Sequence, residues 1–172
     1  MGKDNIVLIG MPGAGKSTLG IVMAKMINYQ FLDVDLLIQS QSDKTLQKLI
    51  DACGPQGFID VENEVLCGID CEKSIVSTGG SAVYSKEAME HLASIGHIIY
   101  LKISYDELKN RLQDLQERGV VMRDGMSMSL KDLYDERLPL YEKYAQITVD
   151  VCDLTITAAA RKVVQAFETY KN

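Results

Sequence analysis

The segment "GMPGAGKST", residues 10 to 18, is the feature that most constrains what this chain folds into. It fits the pattern GxxxxGK[ST], with Gly10, Gly15, Lys16 and Ser17 at the fixed positions, and it separates the apolar runs "NIVLI" and "LGIVMAKMI". In a strand–turn–helix of this kind, backbone N–H groups and the helix N-terminus converge on phosphate oxygens. The motif therefore predicts a loop that binds the polyphosphate of a nucleotide.

Each residue type in this loop has an expected part in binding. We expect Lys16 to reach the β and γ phosphates and the Ser17 hydroxyl to bind Mg²⁺. The residues predicted to bind the nucleotide within the loop are Gly13, Ala14, Gly15, Lys16, Ser17 and Thr18. The alternative, a glycine-rich turn that binds nothing, does not account for the match to the whole motif and its context.

Apolar, β-branched runs recur along the chain and alternate with segments of helical spacing. The runs are residues 5–9, 30–34, 74–78, 97–103 and 147–151. Strands that are continuously apolar and alternate with helices indicate a parallel sheet covered on both faces. The sequence thus predicts an α/β, doubly wound fold with three layers and a five-stranded parallel sheet.

The second half of the chain contains one strongly helical segment followed by an irregular one. Residues 104–118 have leucines at helical spacing, with Ser104 as an N-cap and Glu107 three residues later. The following segment, "GVVMRDGMSMS", has no clear period, and we expect residues 118–128 to form a mobile lid before a helix that opens near Leu130. No repeat or linker divides the chain, which predicts a single domain over residues 1–172.

Composition excludes several classes of partner. The net charge of -6 argues against a general surface for nucleic acid or acidic membranes, because such partners need clustered Lys and Arg. The 4 cysteines form no CxxC pair, so we expect neither a metal site nor disulfides. No apolar run approaches the roughly 20 residues of a membrane span. We therefore expect a cytoplasmic protein with no nucleic-acid or membrane partner.

Two acidic residues follow the second apolar run, in "FLDVDLL". Asp33 and Asp35 alternate with apolar residues, so both would point to one face at the carboxyl edge of the sheet, beside the phosphate loop. There they would serve a Mg²⁺ shell and a base near an acceptor hydroxyl. The alternative is that Asp35 only caps the helix that begins with "LLIQSQ".

The order of these motifs resembles that of the shikimate kinase family, a small group of P-loop kinases, over nearly the whole chain. "RLPLY" matches the family's Arg-x-Pro-x-Tyr motif and contains Arg137. The resemblance implies that Asp33 is associated with magnesium, Asp35 with the acceptor hydroxyl, Arg111 with adenine and Arg118 with the lid. It implies that Gly79, Gly80, Glu62 and Arg137 belong to the acceptor site.

The chain departs from the family pattern in the acceptor site. In "FIDVE", Ile59 stands where the family has an arginine that binds the acceptor's carboxylate together with the residue matching Arg137. In "GGS", Ser81 replaces the third glycine, and Gly119 replaces the proline that follows Arg118. Losing a charge-assisted hydrogen bond costs about 1.5 to 3 kcal/mol. Arg123 or Arg118 would be able to compensate, or the acceptor differs.

Helical spacing places two charged residues on apolar faces. If residues 57–71 are helical, Glu62 falls within a stripe that contains Phe58 and Val65, and Arg137 likewise falls between Tyr134 and Tyr141. A carboxylate on the buried face of a helix needs a hydrogen-bond donor or an opposite charge as its partner. The pair suggests either the floor of a polar pocket or a buried structural ion pair between two helices.

The resemblance implies ATP-dependent phosphorylation of a hydroxyl on a small carboxylate-bearing metabolite, shikimate first, with Mg²⁺ as cofactor and ATP as co-substrate. We expect Lys16, Asp35 and Arg118 to be catalytic, and Asp35, Ile59, Glu62, Gly79, Gly80 and Arg137 to surround the acceptor within a region that includes residues 34–72. Two alternatives remain: a kinase of the same fold with a different hydroxy acid or sugar acid, and a nucleotide-binding regulator without transfer activity. We expect a monomer.

Overall fold

All five apolar runs form strands of a single parallel sheet. The structure, a computed structural model, describes residues 4–113 and 129–171. The strands are β1 (Asn5–Ile9), β2 (Gln30–Asp33), β3 (Ser74–Ser77), β4 (Gly96–Lys102) and β5 (Ile147–Asp150). Every strand lies within one residue of its predicted bounds, which confirms the α/β class.

The strand order is β2-β3-β1-β4-β5, and every neighbouring pair is parallel. The central strand β1 is apolar on both faces, and its residues Ile6, Val7, Leu8 and Ile9 are 0% exposed. Only a sheet covered on both sides buries a strand in this way. The chain leaves β1 towards one edge of the sheet and β4 towards the other, so a crevice opens at the carboxyl ends of these two strands.

Seven α-helices and one short 3-10 helix, Ala82–Tyr84, lie around the sheet in the part of the chain that the structure describes. The α-helices are α1 (Lys16–Ile27), α2 (Val34–Ser42), α3 (Leu46–Cys67), α4 (Lys86–Ile95), α5 (Tyr105–Gln113), α6 (Leu130–Tyr144) and α7 (Ile156–Lys171). Helices α1 and α7 pack against each other, while α4 and α6 pack against β4. Helix α6 begins where the sequence predicts, with Ser129 as its N-cap.

The helices near the site begin and end for local reasons. The Ser104 hydroxyl accepts a hydrogen bond from the Glu107 N–H at 3.3 Å, as expected for the N-cap of α5. Helix α3 ends at Cys67 rather than at residue 71, and it is kinked at Gly54, whose φ of 73° is left-handed and which precedes Pro55. The predicted lid at residues 118–128 lies outside the described residues.

Two further expectations concern chemistry away from the site. All four cysteines carry free thiols, and the described residues contain no cluster of His, Cys, Asp or Glu that would hold a metal by itself. Within the same part of the chain, no helix has the length and apolar character needed to cross a membrane.

Candidate active site

The glycine-rich segment forms the loop between β1 and α1, at the carboxyl end of the central strand. Its turn is closed by a hydrogen bond from the Ala14 N–H to the Met11 carbonyl at 3.0 Å. Gly13 and Gly15 have φ values of 86° and 94°, a region that side chains with a Cβ rarely adopt. Among the described residues no side chain caps α1. The N–H groups of its first turn are therefore available to an anion.

Lys16 folds back over this loop. Its ammonium group donates hydrogen bonds to the carbonyl oxygens of Gly10, at 2.8 Å, and Met11, at 3.0 Å, and the residue is 8% exposed. Burial lowers the pKa of Lys16 to about 8, against the opposing effect of the Asp35 carboxylate. A buried ammonium held at the mouth of an anion-binding loop is positioned to receive phosphate oxygens.

Ser17 and Asp33 form a polar pair beside the loop. The Ser17 hydroxyl donates to Asp33 Oδ2 at 2.6 Å and lies 3.2 Å from the Ser77 hydroxyl. Hydroxyl and carboxylate oxygens are the donors that Mg²⁺ uses when phosphates and water complete its shell. The residues present therefore fit magnesium, although this ion is not part of the structure.

Asp33 and Asp35 do not both lie on strand β2, although the alternation of apolar and acidic residues predicted that they would. Strand β2 ends at Asp33, which caps α2 by accepting a hydrogen bond from the Leu36 N–H at 3.2 Å. Asp35 lies in the first turn of α2 and lines the cleft. The capping role considered for Asp35 was thus wrong, because Asp33 performs it and leaves the Asp35 carboxylate free to face the cleft.

Asp35 is half-buried among charged groups. Burial raises the pKa of its carboxyl group, the Lys16 ammonium opposes this, and the Asp33 carboxylate adds to it. A carboxylate with a raised pKa is a better proton acceptor than an ordinary surface aspartate. Asp35 therefore has the environment of a general base.

Glu62 and Arg137 are both buried, as their helical spacing predicts, and each is 1% exposed. Glu62 Oε2 accepts a hydrogen bond from the Ser81 hydroxyl at 2.5 Å, whereas Oε1 has no partner among the described residues. Burial raises the pKa of Glu62 to about 7. Within the same residues no ion pair joins Glu62 to Arg137, so the buried structural pair considered above is not formed.

Arg137 is held by aromatic residues. Its Nε donates to the Tyr84 hydroxyl at 3.1 Å, and its guanidinium lies 5.2 Å from the centre of the Tyr84 ring. The Tyr84 hydroxyl donates to Glu136 at 2.5 Å. These contacts fix the guanidinium while it lines the cleft, which pre-organises it for a planar anion such as a carboxylate.

Gly79 and Gly80 follow β3 and leave room for these side chains. A Cβ on Gly79 would overlap Glu62 Oε1, and one on Gly80 would lie 2.8 Å from both Arg137 Nη1 and Pro12 Cδ. The Tyr141 hydroxyl donates to the Gly80 carbonyl at 2.7 Å, so the backbone of this turn is fixed from α6. A side chain at either position would displace these neighbours.

Arg111 reaches the opposite side of the phosphate loop from α5. It forms an ion pair with Glu107 and donates weakly to the carbonyls of Ala14 and Val151, each at 3.4 Å. Its guanidinium lines the cleft. The role expected for Arg111, beside the nucleotide base, stays a prediction.

These groups surround one cleft of about 950 Å³. The predicted residues that line it are Gly13, Ala14, Gly15, Lys16, Ser17, Thr18, Asp35, Gly79, Gly80, Arg111 and Arg137. Ile59 and Glu62 are buried behind the wall instead of lining it. The predicted catalytic residue Arg118, and Arg123, lie outside the described residues.

Sequence reasoning missed one end of the cleft. The segment between β5 and α7 lines it with Val151, Leu154, Thr155, Ile156 and Ala159. Thr155 accepts a hydrogen bond from the Ala158 N–H at 3.3 Å as the cap of α7. The position of this segment directly after the last strand could have indicated it, since ligands bind outside the carboxyl ends of parallel strands.

Comparison of the whole chain with known proteins identifies the family to which it is similar. The family model described as shikimate kinase matches residues 12–168. Shikimate kinase from Clostridium botulinum is 32% identical over 171 residues, which cover 98% of each chain. Shikimate kinase from Vibrio parahaemolyticus is 34% identical over 167 residues, which cover 96% of this chain and 97% of the relative.

Solved structures agree with the sequence relatives. A shikimate kinase from Acinetobacter baumannii in complex with shikimate superposes with a TM-score of 0.86 at 27% identity, covering 98% of this chain and 94% of that one. A gluconokinase from Sinorhizobium meliloti, at 20% identity and a TM-score of 0.57, covering 98% and 97% of the two chains, shares the fold alone. The match over nearly the full length, at both levels, shows that this chain belongs to the shikimate kinase family.

Proposed function

We propose that this protein transfers the γ-phosphoryl group of ATP to a hydroxyl group of shikimate. The observation that carries the proposal is a single cleft in which an anion-binding loop, a half-buried carboxylate and a fixed arginine face one another. These are the phosphate loop, Asp35 and Arg137. Full-length similarity to shikimate kinases supports shikimate as the acceptor.

The phosphate end of the cleft binds and neutralises the triphosphate. Backbone N–H groups of residues 13–18 receive phosphate oxygens, and Lys16 exchanges its bonds to the Gly10 and Met11 carbonyls for the β and γ phosphates. Ser17 and Asp33 would hold Mg²⁺, which would supply further positive charge to the phosphate oxygens. At the other end, Arg111 borders the space for adenine.

The acceptor hydroxyl is activated by Asp35. Its carboxylate faces the cleft beside Lys16, and burial raises its pKa, so it accepts the hydroxyl proton as the new P–O bond forms. The γ-phosphoryl group leaves the β-phosphate of ATP, and ADP departs with the bonding electrons. Preorganised positive charge from Lys16 and the loop stabilises the negative charge on the oxygens of the phosphoryl group during its transfer.

Arg137 gives the site its preference for an acid. Tyr84 holds the guanidinium in place, so two parallel hydrogen bonds to a carboxylate cost little reorganisation. Ile59 supplies no second cation, and this observation favours a second candidate acceptor, a small hydroxy acid or sugar acid of a different shape. If Arg118 or Arg123, which lie outside the described residues, reached the acceptor, either would supply the second charge.

A coupled assay of ADP release tests the proposal. ATP and Mg²⁺ are supplied with shikimate, with gluconate, with other small hydroxy acids, or with no acceptor. We expect shikimate to increase ADP release far above the rate without acceptor. Robust release with another acid but none with shikimate would transfer the proposal to that acid, and slow release unaffected by every acceptor would support a regulator.

The remaining expectations stay predictions. They are a cytoplasmic location, a monomeric state, and the absence of nucleic-acid and membrane partners. The free thiols of all four cysteines are compatible with a reducing compartment.

A further inference from the structure

Two departures of this chain from the family motifs meet at one buried carboxyl group. Ile59 lies one helical turn before Glu62 on α3. Ser81, in the position of the third glycine, donates a hydrogen bond to Glu62 Oε2 at 2.5 Å. The carboxyl group therefore has a neutral hydroxyl as its partner at a place where the family pattern puts a cation nearby.

The surroundings of Glu62 compensate a negative charge poorly. Its Oε1 has no hydrogen-bond partner among the described residues. A buried carboxylate is unfavourable unless hydrogen bonds and an opposite charge balance the loss of water. Ser81 is a neutral donor, and the charges of Arg137 and Lys16 oppose the effect of burial without outweighing it. The protonated form is therefore populated near neutral pH.

The groups that face Glu62 come from three helices and from the turn that follows β3. Burial raises the pKa of Glu62 to about 7, the hydrogen bond from Ser81 lowers it, the Asp35 carboxylate on α2 raises it, and Arg137 on α6 and Lys16 on α1 lower it. Tyr141, also on α6, faces the carboxyl as a neutral phenol, since burial raises the pKa of its hydroxyl. The net effect leaves the carboxyl able to gain or lose its proton within the working range of an enzyme.

The turn at residues 79–81 places this proton next to the acceptor site. A Cβ on Gly79 would overlap Glu62 Oε1 and would lie 3.2 Å from Asp35 Oδ1, whereas a Cβ on Gly80 would lie 2.8 Å from Arg137 Nη1. Glu62 is thus separated from the cleft by one glycine, and Arg137 lines the cleft behind the next. A charge on Glu62 acts on an anion at Arg137 without touching it.

We propose that Ser81 and Glu62 together form a proton-linked specificity determinant for the acceptor acid. Ser81 fixes the Glu62 carboxyl below Gly79, and the acceptor's carboxylate binds Arg137 most tightly while that carboxyl is protonated. This inference rests on the proposed function, because it concerns the same acceptor. Both residues act as positioning groups, and neither enters the phosphoryl transfer.

The proposal has a directional consequence for binding. When Glu62 ionises, a second negative charge appears beside Asp35 and cancels part of the attraction between Arg137 and the acceptor's carboxylate. In the low dielectric of a buried wall this effect is larger than at a surface. We expect the KM for the acceptor to rise as the pH passes about 7. The KM for ATP depends on the groups of the phosphate loop and not on the charge of Glu62.

Steady-state kinetics with shikimate at saturating ATP and Mg²⁺ test this inference. Between about pH 6 and about pH 8.5 we expect the KM for shikimate to rise roughly tenfold in the unmodified chain, as proton-linked binding requires, and less than about twofold in Glu62→Gln. Ser81→Ala removes the hydrogen bond that lowers the pKa of Glu62, so the rise begins at a higher pH. Glu64→Gln, an exposed carboxylate on the same helix, is the matched control and should keep the unmodified profile.

A second measurement needs no activity. Side-chain ¹³C NMR of labelled glutamate reports the titration of the Glu62 carboxyl, and the signal is identified by its loss in Glu62→Gln. We expect a midpoint near 7 in the unmodified chain and a higher midpoint in Ser81→Ala. A midpoint near the ordinary 4.5 would overturn the proposal.

The outcomes separate this inference from the function on which it rests. If shikimate is phosphorylated and its KM depends on pH equally in the unmodified chain and in Glu62→Gln, the inference fails and the function stands. If the unmodified chain phosphorylates no shikimate at any pH, the proposed function fails and this inference fails with it.

Discussion

The Ser17 hydroxyl donates a hydrogen bond to Asp33 at 2.6 Å, which connects the first turn of α1 to the end of β2. Asp33 also caps α2 through the Leu36 N–H. One carboxylate therefore has a structural bond on one oxygen and a partner in the proposed magnesium site on the other. A substitution that keeps the cap and removes the charge separates the two roles.

Asp33→Asn provides that separation, because asparagine caps helices as well as aspartate does. We expect the thermal stability to change little, while the Mg²⁺ concentration needed for half-maximal activity rises about tenfold or more. Asp43→Asn, at the exposed C-cap of α2, is the control and should change neither quantity. An unchanged magnesium requirement in Asp33→Asn would remove Asp33 from the metal site.

Lys16→Met removes the ammonium and keeps most of the apolar stem. We expect weaker ATP binding and a kcat lower by about 10² to 10³, because positive charge is lost where the transferring oxygens develop charge. Lys25→Met, an exposed position on the same helix, should leave both quantities near those of the unmodified chain. Calorimetry of ATP binding together with turnover rates checks the prediction, and equal kcat values in the two variants would contradict it.

Asp35→Asn should separate binding from chemistry. The amide cannot accept the hydroxyl proton, so we expect the rate of transfer to fall by about 10² to 10⁴ while ATP still binds. Turnover and ATP affinity are measured on the same preparation. Turnover equal to that of the unmodified chain would show that another group accepts the proton.

Gly79→Ala tests the space behind the acceptor site. The new Cβ would overlap Glu62 Oε1, and overpacking of this kind costs about 1 to 3 kcal/mol in the free energy of unfolding. Gly68→Ala is the control, since a Cβ there meets only carbonyl oxygens at 3.5 Å or more and the residue has an ordinary φ of −86°. Equal losses in urea-unfolding experiments would contradict the predicted contact.

Glu62 makes stability depend on pH. Its pKa is about 7 in the folded protein against 4.5 for an ordinary glutamate, so the folded state binds the proton more tightly. This contribution is fully present below pH 4.5 and is lost as the pH rises through about 7. We expect Glu62→Gln to lose less stability between about pH 5 and about pH 8, by an amount on the order of 2 to 3 kcal/mol. Glu64→Gln should follow the unmodified chain, and identical curves for the chain and Glu62→Gln would contradict the raised pKa.

Much of the fold follows from local patterns in the sequence. The five strands match apolar runs, and the three central ones are buried almost throughout because helices cover the sheet. The phosphate loop matches a motif whose glycines are required by positive φ at Gly13 and Gly15. The inward positions of Glu62 and Arg137 follow from helical periodicity alone. These features depend on neighbours within a few residues.

The features that sequence reasoning placed incorrectly or missed depend on distant contacts or on exact boundaries. Asp35 reaches the cleft from a helix because β2 ends one residue earlier than the alternation of "FLDVDLL" suggests. Glu62 accepts a hydrogen bond from Ser81, in the turn after β3, and no sequence pattern indicates this contact because the two residues are 19 positions apart. The wall formed by Val151 and Thr155 comes from a segment without a motif, and only the sheet topology brings it to the cleft.

The most direct test of the central claim follows the phosphoryl group itself. ATP labelled in the γ position is incubated with the protein, Mg²⁺ and shikimate, and the labelled products are separated. The account predicts that the label appears in a phosphate ester of shikimate, in amounts equal to the ADP formed. Label found only in inorganic phosphate, or retained in ATP, would contradict it.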